Sequence, residues 1–327
     1  MEYPIAVDVM GGDYAPAHVI EGIKLALAED DEISVIAVGL PDAITPLEGM
    51  DRVACVGASE VIGMDEHPAQ AIRAKKDSSI VVGCRLVKAG DAGAFFSAGS
   101  TGAVMAAATL GIGRIRSVTR PVLATVLPGV DKPVILGDIG ANADCKPTYL
   151  VQFAEMMKAY ATAVFDVTEP VVRLLNIGEE DTKGSAFAQE CHTLLAGTVE
   201  GFAGNVEGKQ ILTADADVIV TDGFTGNVAL KTLEGASSVV FSQIKATLSS
   251  TVMAKVLIAP LVGKLRKLKD RMDPDQFGGA PLLGVKGVVV IGHGSSSPTA
   301  IAAGIRVAAR ALRNDLTNKI AASLSEE

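Results

Sequence analysis

Residues 134–147 read VILGDIGANADCKP: a β-branched run, a loop of glycine and small polar residues, then a proline. The run predicts a buried strand and Pro147 predicts the first turn of a helix, where a fixed φ and a missing N–H cost nothing. That helix should run to about Phe165. The pattern recurs in AVDVMGGDYAP (6–16), which leads into a helix from Ala17 to about Leu27, and in FFSAGSTGA (95–103), where Ser100 or Thr101 is placed to cap the next helix. It returns in VVRLLNIGEEDTKG (171–184), DVIVTDGFTGN (217–227) and GVVVIGHGSSSP (287–298). Strands alternating with helices at this spacing predict an α/β fold: a doubly wound, mostly parallel sheet with helices on both faces. Ligands of such sheets bind beyond the carboxyl ends of the strands, where these loops converge. No fixed-period repeat and no linker interrupts the rhythm, so residues 1–327 are expected to form a single domain, with two lobes around a cleft as its variant.

Composition agrees. The chain has 327 residues, 34 glycines, no Trp and a formal charge of −9, with a positive mean hydropathy. Its apolar content is carried by Val, Ile, Leu and Ala, which suits buried parallel strands under Ala-rich helices. An acidic balance argues against nucleic acid as the main partner. The N-terminus enters a short apolar strand without a basic leader, and no run approaches the ~18 apolar residues of a membrane span. Cys55, Cys84, Cys145 and Cys191 form no C-x-x-C pair and read as reduced thiols of a cytosolic protein.

Glycine-rich entries to helices are natural anion sites, because unpaired N–H groups and the helix dipole point at the ligand. Each loop alone is explained by backbone needs; several together point to a phosphate or an oxyanion. The glycines fit neither a P-loop nor a dinucleotide fingerprint, no nucleophile elbow is present, and the four histidines lack metal-ligand spacing. No metal and no cofactor is expected. Asp8, Gly11, Gly12, Asp13, Asp138, Asn142, Lys183, Asp222, Asn227 and His293 stand at strand ends. For Asp8, Asp138 and Asp222, capping of loop amides and catalysis remain equal readings. His293, between two glycines after a very apolar strand and just before Ser295, reads as functional. Lys183 sits beside Glu179, Glu180 and Asp181, where a solvated ion pair is the plain alternative. His18, His67 and His192 read as structural or exposed, and Cys145 as a small buried thiol rather than a nucleophile.

Residues 251–277 depart from the pattern and largely coincide with a basic amphipathic helical excursion of about 244–275. Leu257, Leu261, Leu265, Leu268 and Met272 follow helical spacing, with Pro260 expected to end one helix and open the next. Lys255, Lys264, Arg266, Lys267, Lys269 and Arg271 surround the stripe and only Asp270 opposes them. Leu257, Leu261, Lys264, Leu265, Lys267 and Leu268 are therefore candidates for docking to anionic lipid or to an acidic carrier protein, against a solvated or dimer-interface helix.

Taken together, SAGSTGA (97–103), GDIGANADCKP (137–147), NIGEEDTKG (176–184), FAGNVEG (202–208), TDGFTGNVALKTLEG (221–235) and FGGAPLLGVKGVVVIGHGSSS (277–297), with the opening AVDVMGGDYAP, resemble the phosphate acyltransferases of bacterial phospholipid synthesis nearly end to end. Ser100 stands where many relatives carry Asn, and Ser185 is likewise variable. The resemblance implies an isopropylmalate-dehydrogenase-like or phosphotransacetylase-like fold, a homodimer, and no cofactor. It implies transfer of a fatty acyl group from acyl carrier protein to inorganic phosphate, in the cytoplasm at the inner face of the membrane. The acyl phosphate would feed a membrane glycerol-3-phosphate acyltransferase.

Such chemistry needs positioning and oxyanion stabilisation more than an activated nucleophile. Lys183 and His293 are assigned to substrate charge, with His293 also a candidate to protonate the leaving thiolate. Ser100, Thr101, Thr225 and Asn227 are assigned to hydrogen bonds with phosphate or oxyanion. Asp8, Asp138 and Asn142 are assigned to loop order, and Gly11, Gly12, Asp222 and Ser295 to the phosphate-binding surround. The rivals are a short-chain phosphate acyltransferase using acyl-coenzyme A, a dehydrogenase of similar architecture, and a non-catalytic acyl-carrier or lipid-surface scaffold.

Overall fold

A computed structural model of the chain describes residues 4–248 and 277–324, with Gly263 singly between them. Its strands are β1 (Ile5–Asp8), β2 (Val35–Gly39), β3 (Val53–Gly57), β4 (Ala94–Ser97), β5 (Val122–Leu127), β6 (Val134–Gly137), β7 (Val172–Asn176), β8 (Phe202–Glu207), β9 (Val218–Val220), β10 (Ala280–Leu283) and β11 (Val288–Ile291). The helices are α1 (Ala17–Glu29), α2 (Pro41–Ile44), α3 (Pro68–Ala74), α4 (Ser79–Ala89), α5 (Thr101–Ala107), α6 (Pro147–Phe165), α7 (Ala186–Thr198), α8 (Gly223–Leu248), α9 (Pro298–Arg313) and α10 (Leu316–Ser323). Pro147 opens α6 at its first position, and the helix closes at Phe165, before Asp166 turns left-handed at φ 58°.

The described strands form one sheet in the order β3-β2-β1-β4-β11-β10-β5-β6-β9-β7-β8. Strands β3, β2, β1, β4 and β11 are mutually parallel, as are β6, β9, β7 and β8. Between these sets the chain reverses at every step, because β10 is antiparallel to both β11 and β5 and β5 is antiparallel to β6. The sheet is mostly parallel, and its two halves point opposite ways. In a flat sheet their carboxyl ends would lie on opposite edges. Twist of about 20–25° per strand, accumulated over five steps from β4 to β9, turns one edge by roughly 100–125° towards the other.

Strand side chains alternate between two buried layers. Ile5 and Val7, Val122 and Ala124, and Val288 and Val290 enter one apolar cluster with residues of α1, α6, α9 and α10. Ala6, Leu123 and Val289 enter a second cluster with residues of α4 and α5. Each fully buried Val or Ile stabilises the fold by about 1.5–3 kcal/mol relative to exposure, so a one-residue register slip would be costly in both layers at once. Glycine sets the close approach of α9 to the sheet. A Cβ on Gly304 would stand 2.6 Å from the Gly278 carbonyl oxygen and 2.9 Å from Phe96 Cδ2.

No described helix is long and apolar enough to cross a membrane. Leu257, Leu261, Lys264, Leu265, Lys267 and Leu268, with most of the basic stripe around them, lie outside the described residues.

Candidate functional site

The Gly-rich loops resolve into two clusters, one at the carboxyl ends of each half-sheet. In the first, β1, β4 and β11 lie side by side, which brings together the loops carrying Asp8, Ser97 and His293. Asp8 is buried and accepts the Ser97 hydroxyl at 2.7 Å and the Met10 amide at 3.0 Å. Ser97 in turn accepts the Gly99 amide at 3.0 Å. Burial pushes the Asp8 carboxyl above its ordinary range, opposed by the Ser79 and Ser97 hydroxyls and the Met10 and Gly11 amides. Gly11 is required sterically, since a Cβ there would stand 2.6 Å from the Gly99 amide nitrogen and 2.8 Å from Asp8 Oδ2. Gly12 adopts φ +106°, and the next residue's amide, Asp13 N–H, donates to the Gly294 carbonyl at 2.7 Å. The first and last of these loops are thereby tied directly.

His293 is exposed, and its Nδ1 accepts the Ser295 amide at 3.3 Å, with the Ser295 hydroxyl at 2.8 Å. A backbone N–H can only donate, so these contacts leave the proton of the neutral ring on Nε2. Ser295 is thus the residue that fixes the His293 tautomer. Ser100 occupies the N-cap of α5 without a side-chain cap bond, and Thr101 is the first helical residue. The α5 amides before Val104 therefore have no intrahelical acceptor. Helix α9, by contrast, is capped by Ser297, which accepts the Ala300 amide at 3.2 Å.

The second cluster is organised by Asp138. Its fully buried carboxylate accepts five hydrogen bonds, from the amides of Leu123, Gly140, Ala141 and Asn142 and from the Asn142 side chain, at 2.7–3.3 Å. Burial still raises its pKa against those donors. The Asn142 side-chain amide also donates to the Pro121 carbonyl at 2.8 Å. Helix α8 sits directly on this loop: the Gly223 amide donates to the Asn142 carbonyl at 2.9 Å, and a Cβ on Gly226 would overlap the Asp138 carbonyl oxygen. Asp222 caps α8, accepting the Thr225 amide at 2.9 Å and the Thr225 hydroxyl at 2.7 Å. Asp222 and Thr225 are therefore committed to each other, the capping reading of the pair. Asn227 is exposed, and its side chain lies above Gly140, where a Cβ would meet Asn227 Cγ at 3.9 Å.

Lys183 belongs to the loop after β7, two strands from β6, a lateral offset of about 10 Å. It is half exposed, lies 3.9 Å from Glu180, and its stem covers Gly178. Among the described residues no hydrogen bond or ion pair joins it to Asp138, Asp222 or Asn227, and none joins the two clusters. Cys145 donates to the Asn142 carbonyl at 3.4 Å and burial holds its pKa up at about 11. It is a neutral thiol. Among the described residues no His, Cys, Asp and Glu group could hold a metal.

Sequence reading passes over three contributors. Ser97, within a motif already singled out, is the hydroxyl that holds Asp8. His18 Nδ1 donates to the Ser296 carbonyl at 3.2 Å, tying α1 to the His293 loop. His192 anchors the Lys183 loop through Nε2 to Asp181 at 3.3 Å and Nδ1 to the Asn205 side-chain oxygen at 3.1 Å, while Asn205 donates to the Glu180 carbonyl at 2.9 Å. Nothing adjacent to His18 or His192 in sequence marks these contacts, because each is made to a distant loop.

Comparison with known proteins bears on the chain as a whole. The family model described as fatty acid synthesis protein matches residues 3–319. A phosphate acyltransferase of Desulfitobacterium hafniense is 47% identical over 97% of this chain and 96% of its own. One of Clostridium perfringens is 44% identical over 99% and 97%. Among solved structures, a phosphotransacetylase of Streptococcus pyogenes superposes with a TM-score of 0.61 at 16% identity, covering 95% of this chain and 94% of that one. A 4-hydroxythreonine-4-phosphate dehydrogenase of Klebsiella pneumoniae reaches 0.52 at 14% identity, covering 95% and 99%. Both likenesses concern fold alone.

Because the Asp8 carboxyl titrates higher when folded than the ordinary 3.8, its contribution to stability is full below that value. It falls as pH rises through the folded pKa and is constant above. Urea unfolding of wild type and Asp8→Asn at stepped pH should show the wild-type advantage shrinking across that window. A difference independent of pH would contradict the assignment.

Proposed function

Because this chain belongs to the fatty acid synthesis protein family and is an acyltransferase of the phosphate acyltransferase kind, we propose that it moves a fatty acyl group from acyl carrier protein to inorganic phosphate. The observation that carries the reaction class is 47% identity over 97% of the chain. The carrier-protein donor is our reading, supported by seven family motifs in order along the sequence.

The chemistry suits the groups in place. Phosphate, with a relevant pKa of about 6–7 by analogy with phosphoesters, is already an anionic nucleophile near neutral pH. One of its oxygens bonds to the thioester carbon while the carbonyl electrons move onto oxygen. Collapse of that tetrahedral oxyanion breaks the C–S bond, giving acyl phosphate and a thiolate. A thiol of pKa about 8.5 leaves without strong acid assistance, and the thiolate takes its proton from water.

The enzyme's task is to hold both reactants and stabilise the oxyanion. Ser100, Thr101 and the uncapped start of α5 supply donors from the first cluster, together with His293 Nε2–H. With Nδ1 accepting the Ser295 amide, His293 offers the Nε2 proton as a hydrogen bond to the oxyanion. From the second half-sheet, the Asn227 amide, beside the loop that Asp138 and Asn142 order, and the Lys183 ammonium, on the loop that His192 and Asn205 anchor, face the phosphate.

The same reading includes a homodimer and reversible contact with anionic lipid through the basic stripe around Leu261 and Leu265, delivering product to a membrane glycerol-3-phosphate acyltransferase. Flotation with anionic vesicles tests the lipid contact: wild type should float and Leu261→Glu/Leu265→Glu should not, and equal flotation would exclude the stripe as an anchor.

Palmitoyl-carrier protein and phosphate, mixed with the protein, should yield palmitoyl phosphate by mass spectrometry, with release of free carrier thiol. His293→Ala and Asn227→Ala should each lower kcat at least tenfold, about 1.4 kcal/mol of barrier. Turnover with acetyl-coenzyme A and not with the carrier donor would move the assignment to the short-chain reaction. Silence with both would leave a scaffold.

A further inference from the structure

A strongly basic patch lies outside the two loop clusters. Between Asp91 and Asp131 the sequence holds no acidic residue, yet it carries Arg114, Arg116 and Arg120. Between Asp275 and Asp315 it again holds none, and Lys286 falls there. The fold brings these stretches together. Arg114 and Val285 form an antiparallel bridge, the Ile115 amide donates to the Gly284 carbonyl at 3.0 Å, and the Lys286 amide donates to the Gly113 carbonyl at 2.9 Å. All four cations are exposed. The Arg114 guanidinium is used within its own loop, donating to the Val118 and Thr119 carbonyls. The side chains of Arg116, Arg120 and Lys286 make no hydrogen bond or ion pair with any described residue. On a chain of charge −9 this is a concentration of uncompensated positive charge.

The patch is shaped and stiff. Arg116 and Lys286 line an open cavity of about 490 Å³ whose other wall is Thr317, Asn318 and Ala321 of α10. Asp315, the acid beside that wall in sequence, has both carboxylate oxygens engaged by Asn318 at 2.9 and 3.1 Å. The Arg-bearing segment is fastened to α6: Gln152 accepts the Thr119 amide at 2.9 Å and donates to the Ser117 carbonyl at 3.0 Å. The segment also runs straight into the second cluster. Pro121, next to Arg120, accepts the Asn142 side chain, and Leu123 donates to Asp138.

We propose that this concave basic patch docks the acidic protein half of the acyl donor. Its flexible thioester arm then reaches the Asp138–Asn142 loop that the same segment buttresses. The inference rests on the carrier-protein donor proposed above. Arg116 and Lys286 at the cavity, with Arg120 four residues further along the same segment, fit a convex acidic surface. A flat bilayer is better met by an extended amphipathic stripe, and that stripe lies elsewhere in the sequence. Charge of this kind acts mainly on encounter rate and orientation, so its effect belongs in KM and in salt dependence.

The test compares two donors in wild type and in Arg116→Glu/Arg120→Glu/Lys286→Glu. Palmitoyl-carrier protein presents the acidic domain; palmitoyl-pantetheine carries the same thioester without it. Wild type must first turn over the carrier donor, and failure there refutes the functional reading and not the surface. With the triple variant, KM for the carrier donor should rise at least tenfold with kcat within twofold, and the salt dependence of kcat/KM should flatten. Turnover of palmitoyl-pantetheine should stay within twofold, which also reports an intact fold. An unchanged KM for the carrier donor, or equal losses with both donors, would overturn the proposal. Loss of flotation on anionic vesicles with carrier KM unchanged would assign the patch to lipid and overturn it as well.

Discussion

Asp138 sits at 0% exposure with five donors aimed at its two oxygens, and much of the candidate site depends on that convergence. A buried carboxylate is costly to desolvate, and it persists because each hydrogen bond to a charged group returns about 1.5–3 kcal/mol. Those donors are the backbone of the loop after β6, the Leu123 amide of β5, and the side chain that reaches Pro121. Helix α8 then settles on the loop through two glycines that admit no Cβ. Asp8 plays the corresponding part in the other half-sheet, with Ser97 and Met10 as its donors. In both places the carboxylate is occupied by its own loop and a neighbouring strand. The groups left facing outwards are neutral donors, an ammonium and uncapped helix amides, the equipment for receiving an anion.

Much of this is legible in the sequence because local chemistry and global fold agree. The strand–glycine–helix rhythm locates the loops, Pro147 locates the start of α6, and the resemblance fixes the reaction class. For Asp222 the sequence leaves capping and catalysis open, and the structure shows it making the capping contacts to Thr225. The reversal of direction across β10 and β5 is not legible. Short strands buried on both faces carry the same apolar run whether parallel or antiparallel, and only their pairing distinguishes them. Hence the loops read as sharing one sheet edge, whereas they stand on two that twist must bring round. His18 and His192 escape sequence reading for a related reason, since their partners are more than ten residues away and no local motif encodes them.

The fold does not choose the chemistry. A phosphotransacetylase and a dehydrogenase both superpose on this chain at low identity, so architecture alone leaves acyl transfer and hydride transfer equally open. Full-length sequence identity discriminates, at 47% over 97% of the chain with a phosphate acyltransferase. The sequence has no dinucleotide fingerprint, Cys145 is held as a neutral thiol, and His293 is fixed by Ser295 in the tautomer that donates from Nε2. These features suit direct attack by phosphate on a thioester, with the protein supplying position and donors and forming no bond to the acyl group.

Direct displacement has a direct test. If the protein carried the acyl group covalently, acyl-carrier protein and isotope-labelled free carrier would exchange acyl groups in the absence of phosphate, because the first half-reaction would run alone and reverse. Mass spectrometry of that mixture should show no acyl group on the labelled carrier over many turnover times. Transfer should begin only when phosphate is added, and then onto phosphate. Acyl exchange between carriers without phosphate would contradict direct displacement and return attention to a nucleophile in the site.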